Sequence, residues 1–231
     1  MPGVEALDDR AGDGTDPAAA SAAAFVLALR ERGVRDTATL RAMERVPREG
    51  FVPEAHRAHA RSDIALPLPC GQTMSAPSTV GRMLAALAVP RGARVLEVGT
   101  GSGFVAALLA ALGAGHVRSL ERYATLARAA QETLAGHGLD GISVETADAL
   151  SPEAAGEGAY DRILIHGVLP ELPPHLIAAL APNGRLVGAL ARDGRPACLA
   201  TLDRPMEAEP VLSLGKRLFL PPLTPGRARI L

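Results

Sequence analysis

A glycine-rich segment that follows a short apolar run is the first feature of this sequence able to do chemistry. Gly99, Gly101 and Gly103 lie between Arg94–Val98, which predicts a strand, and Phe104–Leu112, which predicts a helix. Glycine permits positive φ angles and lets the backbone approach a ligand closely, while the first turn of a helix offers free N–H groups. The pattern therefore predicts a ligand site at a strand-to-helix turn.

Acidic residues end or follow the next two predicted strands. Glu121 ends Val117–Glu121 and can accept hydrogen bonds from two vicinal ribose hydroxyls, and Asp148 follows Ile142–Thr146 and can accept from an adenine amino group. Ligands of open parallel sheets lie beyond the carboxyl ends of the strands, so we expect both carboxylates to face the glycine turn. Glu97 can then hold the cationic amino end of a methionine moiety, directly or through water.

Three interpretations fit this turn when it is considered alone. S-adenosylmethionine supplies the ribose, adenine and methionine groups that the acidic residues can bind. The run Gly101–Ala106 also fits the G-x-G-x-x-G/A dinucleotide pattern, with Glu121 about 20 residues later, which is typical of a nicotinamide-dependent oxidoreductase. A glycine turn can also do no more than connect a strand to a helix. The turn by itself leaves the cofactor open.

The order of predicted elements places the turn in an α/β fold. From residue 94 onward short apolar strands alternate with helices, which is typical of a doubly wound, mostly parallel sheet. The predicted strands are Arg94–Val98, Val117–Glu121, Ile142–Thr146, Arg162–Ile165 and Arg185–Leu190, then antiparallel Ala197–Leu202 and Leu218–Leu220. The predicted helices are Ser21–Arg32, Asp36–Arg45 with Asp36 as N-cap, Ser75–Leu87, Phe104–Leu112, Thr125–Gly136 and Pro173–Leu180. Asn183-Gly184 predicts a turn.

Composition predicts three regions along the chain. Residues 1–18, rich in Gly, Ala, Asp and Pro, predict a disordered tail. Residues 19–90 predict an N-terminal helical segment with a mostly irregular stretch at 51–69. Residues 91–231 predict the α/β domain that binds the cofactor.

Charge and composition narrow the functional classes. The 231 residues carry a formal net charge of −1, which argues against nucleic-acid binding driven by electrostatics. The cysteines, Cys70 and Cys198, lack metal-site spacing and predict reduced thiols in a cytoplasmic protein. Arg41, Arg45 and Arg48 predict a solvated helix face. We expect a monomer that needs no nucleic-acid, membrane or metal partner.

Several blocks of the sequence, in order, resemble the protein-L-isoaspartate O-methyltransferase family. They are Arg45–Pro53, Asp63, Leu66-Pro67, Gly71–Pro77, Val95–Phe104, Tyr160–Ile163 and Leu180–Val187. The resemblance spans roughly residues 36–204. Many methyltransferases and dehydrogenases share the glycine block, whereas Gln72–Pro77 is much more specific, and it favours S-adenosylmethionine over a nicotinamide.

The resemblance implies a Rossmann-like class I methyltransferase with an N-terminal helical extension, acting as a cytosolic repair enzyme. Such an enzyme methylates the free α-carboxylate of an L-isoaspartyl residue in a damaged protein or peptide. The ester then closes to a succinimide that can reopen to normal aspartate, and S-adenosylhomocysteine is the other product. The residues implied at the cofactor are Thr73, Met74, Ser75, Glu97, Gly99, Thr100, Gly101, Gly103, Glu121, Asp148, Ala149 and Thr224.

Ser75 falls on the catalytic serine of the family's motif. A carboxylate with a pKa near about 3.5 is already ionised at pH 7, so the reaction needs no general base. What remains is to align oxygen, methyl carbon and sulfur, and a serine hydroxyl can do this by orienting the carboxylate. The alternative for Ser75 is a helix N-cap, with Ala76-Pro77 in the first turn.

Three places depart from the family pattern. His166–Leu169 precedes Pro170 where the family has small alanines, Ala147 and Ala149 replace the usual glycines around Asp148, and Ala189–Ala191 replaces a Pro-Val-Gly run. His166 either lines the substrate pocket and favours an anionic carboxylate, or caps the strand end as a hydrogen-bonded imidazole.

These changes keep two alternatives open. One is a relative that methylates an aspartate of one dedicated peptide or protein, and the other is a binding protein without turnover. An oxidoreductase is disfavoured because nothing after Glu121 supplies a recognisable hydride-transfer site.

Overall fold

The computed structural model describes residues 17–156, 158–192, 194–226 and 228. Within those ranges the helices are α1 Pro17–Glu31, α2 Thr37–Arg45, α3 Pro77–Leu87, α4 Phe104–Ala111, α5 Ala124–Gly136 and α6 Pro174–Ala178. The strands are β1 Leu66–Pro67, β2 Thr73–Met74, β3 Arg94–Val98, β4 His116–Glu121, β5 Ile142–Thr146, β6 Tyr160–Leu169, β7 Leu180–Leu190, β8 Cys198–Arg204 and β9 Val211–Arg217. Short 3-10 turns lie at Arg48–Phe51, Glu54–His59 and Pro69–Gly71.

Seven strands form one sheet in the order β5-β4-β3-β6-β7-β8-β9. The pairs from β5 to β7 are parallel, and β8 and β9 add an antiparallel edge. The strand order reverses beside β3, where Val98 pairs with Leu120 of β4 and with Ile165 of β6. The carboxyl ends of these three strands therefore meet at the switch point of a doubly wound sheet, where ligands bind. The predicted fold class is confirmed.

An apolar core lies on each face of the sheet, and α2 and α4 belong to the larger of the two. α4 is apolar all round and buried from Phe104 to Leu109, since it is enclosed between the sheet and the N-terminal helices. α2 is amphipathic and buries Leu40 and Met43 in the same core. Residues on both sides of position 90 share this core. The three-region division stays a prediction, and residues 1–16 of the expected tail lie outside the described part of the chain.

The structure corrects several predicted boundaries. α1 begins at Pro17, inside the stretch expected to be a tail. α3 begins at Pro77 with Ala76 as N-cap, so Ser75 does not cap this helix. The final strand is β9, and Leu218–Leu220 is irregular instead of a strand. Asn183 does have a positive φ of 61°, but it lies inside β7, where the register with β6 shifts.

No helix among the described residues is both long and apolar enough to cross a membrane.

Candidate active site

The glycine turn after β3 depends on backbone that only glycine adopts easily. Gly99, Gly101 and Gly103 have φ angles of +92°, +56° and +83°. A Cβ on Gly99 would lie 3.3 Å from the Cβ and carbonyl oxygen of His166, and one on Gly103 would lie 3.2 Å from Leu134. The turn therefore packs tightly against both the end of β6 and α5.

Glu121 is held in place by backbone donors at the end of β4. The N–H of Gly101 donates to its Oε2 at 3.0 Å, and the N–H of Tyr123 donates to its Oε1 at 3.0 Å. The residue is only 6% exposed, yet it lines the cavities described next. A carboxylate fixed in this way keeps further lone pairs for a ligand hydroxyl.

Two adjoining cavities open at the carboxyl ends of β3, β4 and β6. The larger has a volume of about 310 Å³, at the lower end of the size of small-molecule sites, and the smaller has about 80 Å³. Predicted residues lining the larger cavity are Thr73, Gly99, Glu121, Asp148, Ala149 and Thr224. Those lining the smaller cavity are Thr73, Met74, Ser75, Gly99, Thr100, Gly101 and Glu121. Gly103 and Glu97 line neither, because Gly103 packs on α5 and Glu97 is fully buried.

Asp148 ties a C-terminal segment to the larger cavity. Its Oδ1 accepts from the N–H of Leu150 at 3.0 Å, and its Oδ2 accepts from the N–H of Gly226 at 2.6 Å. We call Pro221–Thr224 the closing segment, and all four of its residues line the larger cavity. The acidic residue expected at the adenine therefore also anchors the chain that covers this site.

The residues at the end of β6 that depart from the family pattern, His166–Leu169, contact the closing segment. Val168 donates its N–H to Pro221 and accepts from the N–H of Leu223, both at 2.9 Å. A Cβ on Gly167 would lie 2.0 Å from Cδ1 of Leu223, so a larger residue there would force the side chain of Leu223 to move. The last residues of β6 therefore pack against the closing segment.

Glu97 and His166 form a buried pair behind the glycine turn. Glu97 is 0% exposed, its Oε2 accepts from the hydroxyl of Ser119 at 2.5 Å, and its Oε1 lies 3.7 Å from Nε2 of His166. That distance is too long for a hydrogen bond, and neither facing atom has another partner among the described residues. Thr100 extends the network, with its Oγ1 2.6 Å from the hydroxyl oxygen of Ser119.

Burial keeps both members of this pair uncharged at neutral pH. Desolvation raises the pKa of Glu97 to about 8, against the lowering effect of the Ser119 hydrogen bond, and the charge of Glu121 raises it further. Desolvation lowers the pKa of His166 to about 4. His166 lines both cavities as a neutral imidazole, so it does not attract a carboxylate by charge, and its Nε2 is not hydrogen-bonded as the strand-cap interpretation required. A contact between Glu97 and a ligand's amino end requires a bridging water or a movement of His166.

Ser75 lies where the smaller cavity meets a separate outer groove. This outer groove, about 560 Å³ in volume, is lined by Ala65, Thr73, Ser75, residues 194–197 and residues 217–221. Thr73 and Pro221 border the groove and both cavities. The hydroxyl-bearing residue therefore stands at the boundary between a deep site and a surface channel.

Arg48 was predicted on a solvated helix face, and this prediction is wrong. Arg41 and Arg45 are exposed, but Arg48 lies beyond α2 and is only 1% exposed. Its guanidinium donates to the carbonyl oxygens of Ala60 and Ser75, the latter at 3.1 Å, and lies 5.8 Å from the ring centroid of Phe104. Burial lowers its pKa to about 10, so the group stays charged at neutral pH.

Further residues at the larger cavity were absent from the predicted set. Gln72 donates from Nε2 to the carbonyl oxygen of Cys70 at 3.2 Å and to the hydroxyl of Tyr123 at 3.3 Å. Gln72 lay within the specific sequence block, which could have indicated it. Arg122 and Tyr123 carried no such signal, whereas Pro222-Leu223-Thr224 resembles a short closing segment of the family.

Sequence and structure comparisons place this chain in a known class. Its sheet, with a glycine turn after β3 and an antiparallel β7-β8-β9 edge, is a Rossmann-like methyltransferase fold. A solved structure from Plasmodium falciparum, described as a protein-L-isoaspartate O-methyltransferase in complex with S-adenosyl-L-homocysteine, matches with a TM-score of 0.77. It is 22% identical, and the match covers 87% of this chain and 97% of that one.

The particular family follows from sequence. A model of the protein-L-isoaspartate(D-aspartate) O-methyltransferase family matches residues 20–219. A protein-L-isoaspartate O-methyltransferase of Azorhizobium caulinodans is 44% identical over 171 residues, 74% of this chain and 78% of the relative. One from Xanthobacter autotrophicus is 42% identical over 211 residues, 90% of this chain and 94% of the relative. The chain belongs to this family and is an S-adenosylmethionine-dependent protein carboxyl O-methyltransferase.

Glu97 makes the stability of the fold depend on pH. Between pH 4.5 and about 8 the unfolded chain ionises Glu97 while the folded chain keeps the proton, so the free energy of unfolding falls as pH rises. The isosteric Glu97→Gln variant has no acid at this position, so its free energy of unfolding should not fall with pH for this reason. Chemical denaturation at pH 5, 6.5 and 8 should show the stability of Glu97→Gln rising relative to wild type, by on the order of 1 kcal/mol per pH unit. Parallel profiles would contradict a buried neutral acid.

Arg48 should act as a positioning residue for Ser75. Lysine keeps the charge but lacks the planar fork that reaches several carbonyls, so Arg48→Lys should lower stability by about 1–3 kcal/mol and reduce kcat. The affinity for S-adenosylhomocysteine should change less than kcat, because Arg48 lines neither cavity. The exposed Arg45→Lys is the matched control. Unchanged kcat in a destabilised Arg48→Lys variant would limit Arg48 to a structural role.

Proposed function

We propose that this enzyme transfers a methyl group to the free α-carboxylate of L-isoaspartyl residues in damaged proteins and peptides, with Ser75 as its catalytic residue. The observation that carries the role of Ser75 is its place at the junction of the smaller cavity and the outer groove. A cofactor in the cavities and a peptide in the groove can meet at this junction, and membership of the family supports the isoaspartyl substrate.

The residues around the cavities fit S-adenosylmethionine. Gly99 lines both cavities with backbone that only glycine adopts easily, and Glu121 presents a fixed acceptor suited to ribose hydroxyls. Asp148, Ala149 and Thr224 border the larger cavity, where we place the adenine. The cofactor supplies an electrophilic methyl group on a sulfonium, and we assign Thr73, Met74 and Ser75 to its reactive end.

The remaining catalytic work falls on the protein's own side chains. The substrate carboxylate is ionised at pH 7, so no residue has to remove a proton. The hydroxyl of Ser75 donates a hydrogen bond that orients the carboxylate, while Arg48 fixes the backbone of Ser75 through its carbonyl oxygen. The closing segment lines the larger cavity, and we infer that it keeps water away from the reacting atoms.

The two predicted segments of the chain contribute different parts of the site. The segment 19–90 contributes the wall from Gly71 to Ser75, and the segment 91–231 contributes the glycine turn, the acidic residues and the closing segment. We also propose that the enzyme works as a monomer and, as the family resemblance implies, in the cytoplasm.

Loss of the serine hydroxyl should separate turnover from cofactor binding. Ser75→Ala should lower kcat on an isoaspartyl peptide at least about tenfold and leave the Kd of S-adenosylhomocysteine within about twofold, since Ser75 orients the carboxylate. Methyl transfer from labelled S-adenosylmethionine measures kcat, with the normal aspartyl peptide as a substrate that should not react. Ser213→Ala on β9 is the control. An equal loss of turnover and affinity would remove Ser75 from catalysis.

The carboxylate of Glu121 should account for much of the cofactor affinity. Glu121→Gln keeps the size of the side chain and one acceptor, and we expect it to weaken S-adenosylhomocysteine binding about tenfold, because hydrogen bonds to a charged group are the stronger ones. Glu121→Ala should weaken it further and also disturb the turn through Gly101. Calorimetric titration gives the Kd, with exposed Glu132→Gln as control. Wild-type affinity in both Glu121 variants would refute the ribose assignment.

A further inference from the structure

The outer groove carries two positively charged side chains on one wall. Arg195, in the connection between β7 and β8, and Arg217, at the end of β9, both line the groove and are exposed. Among the described residues that line it, none is acidic. The groove reaches Ser75, so a peptide that lies in the groove with its carboxylate at Ser75 is close to these guanidinium groups.

Local contacts hold Arg217 at this surface. Its carbonyl oxygen accepts from Nη1 of Arg82 at 3.3 Å, which brings a third guanidinium to this edge. Its own guanidinium lies 5.6 Å from the ring centroid of Phe219, a groove residue that is 76% exposed. Stacking on an exposed ring orients the charge without neutralising it.

The acidic residue nearest in sequence to the opposite wall is already engaged. Asp63, two residues before Ala65, lies 2.7 Å from Nε of Arg32 and accepts from the N–H of Ser78 at 2.7 Å. It therefore does not balance the charges of Arg195 and Arg217. An acidic side chain is the chemistry that complements them.

We propose that the outer groove binds the residues flanking the isoaspartyl site and selects acidic ones, with Arg195 and Arg217 as specificity-determining residues. This inference rests on the proposed function. Exposed ion pairs are individually weak and screened by salt, so the preference is modest and disappears at high ionic strength. It acts on encounter and on KM, because neither arginine borders the cavities around the reacting atoms.

The preference for acidic flanking residues can be tested with three isoaspartyl peptides of equal length. They carry Glu, Ser or Lys at the two positions on each side of the isoaspartyl residue. We expect kcat/KM for the Glu peptide to exceed that for the Ser peptide about three- to tenfold at low salt, with the Lys peptide lowest. The order should collapse in 0.5 M salt. The double variant Arg195→Glu/Arg217→Glu should reverse the order through KM.

Arg128→Glu is the matched control, since Arg128 is exposed on α5 and lines a different surface depression. It should keep the wild-type order. Equal rates on all three peptides in the wild type, or an equal loss on all three in the double variant, would overturn the charge preference and leave the proposed function standing. Methylation of none of the peptides would overturn both.

Discussion

The buried guanidinium of Arg48 is the contact on which the catalytic end of this structure depends. A charged group that is 1% exposed must be compensated, and Arg48 achieves this through the carbonyl oxygens of Ala60 and Ser75 and the ring of Phe104. One side chain thus fixes the irregular stretch after α2, the backbone of the proposed catalytic serine and the first residue of the helix that follows the glycine turn. Ser75, at the edge of the outer groove, and Phe104, after the glycine turn, therefore both contact Arg48.

The parts of the site that were predictable from sequence are those set by local pattern and sheet geometry. β3 and β5 have the predicted bounds, and the parallel sheet brings Gly99, Glu121 and Asp148 to one edge because its strands all end there. The parts that were not predictable depend on contacts between distant residues. Arg48 reaches Ser75 across 27 positions, and Asp148 reaches Gly226 across 78. Nothing in the local pattern separates Arg48 from its exposed neighbours Arg41 and Arg45.

The departure from the family pattern at His166–Leu169, the end of β6, has a structural explanation. Gly167 leaves space for Leu223, and Val168 forms a short bridge with the closing segment through both of its backbone groups. Substitution at these positions is coupled to the sequence of the segment that packs on them. The end of β6 therefore contributes to how the larger cavity is covered, while the boundary between the smaller cavity and the outer groove is formed by Thr73, Ser75 and Pro221.

The uncharged state of Glu97 affects the electrostatics of its neighbour Glu121. Two carboxylates close together would raise the free energy of both, and the charge of Glu121 is one cause of the raised pKa of Glu97. Keeping Glu97 protonated removes that repulsion, and Ser119 and Thr100 hold the acid in place through hydroxyl groups that carry no charge. The imidazole of His166 then separates this acid from the cavities. At the glycine turn the carboxyl group of Glu121 lines both cavities, which supports its proposed role as the ribose acceptor.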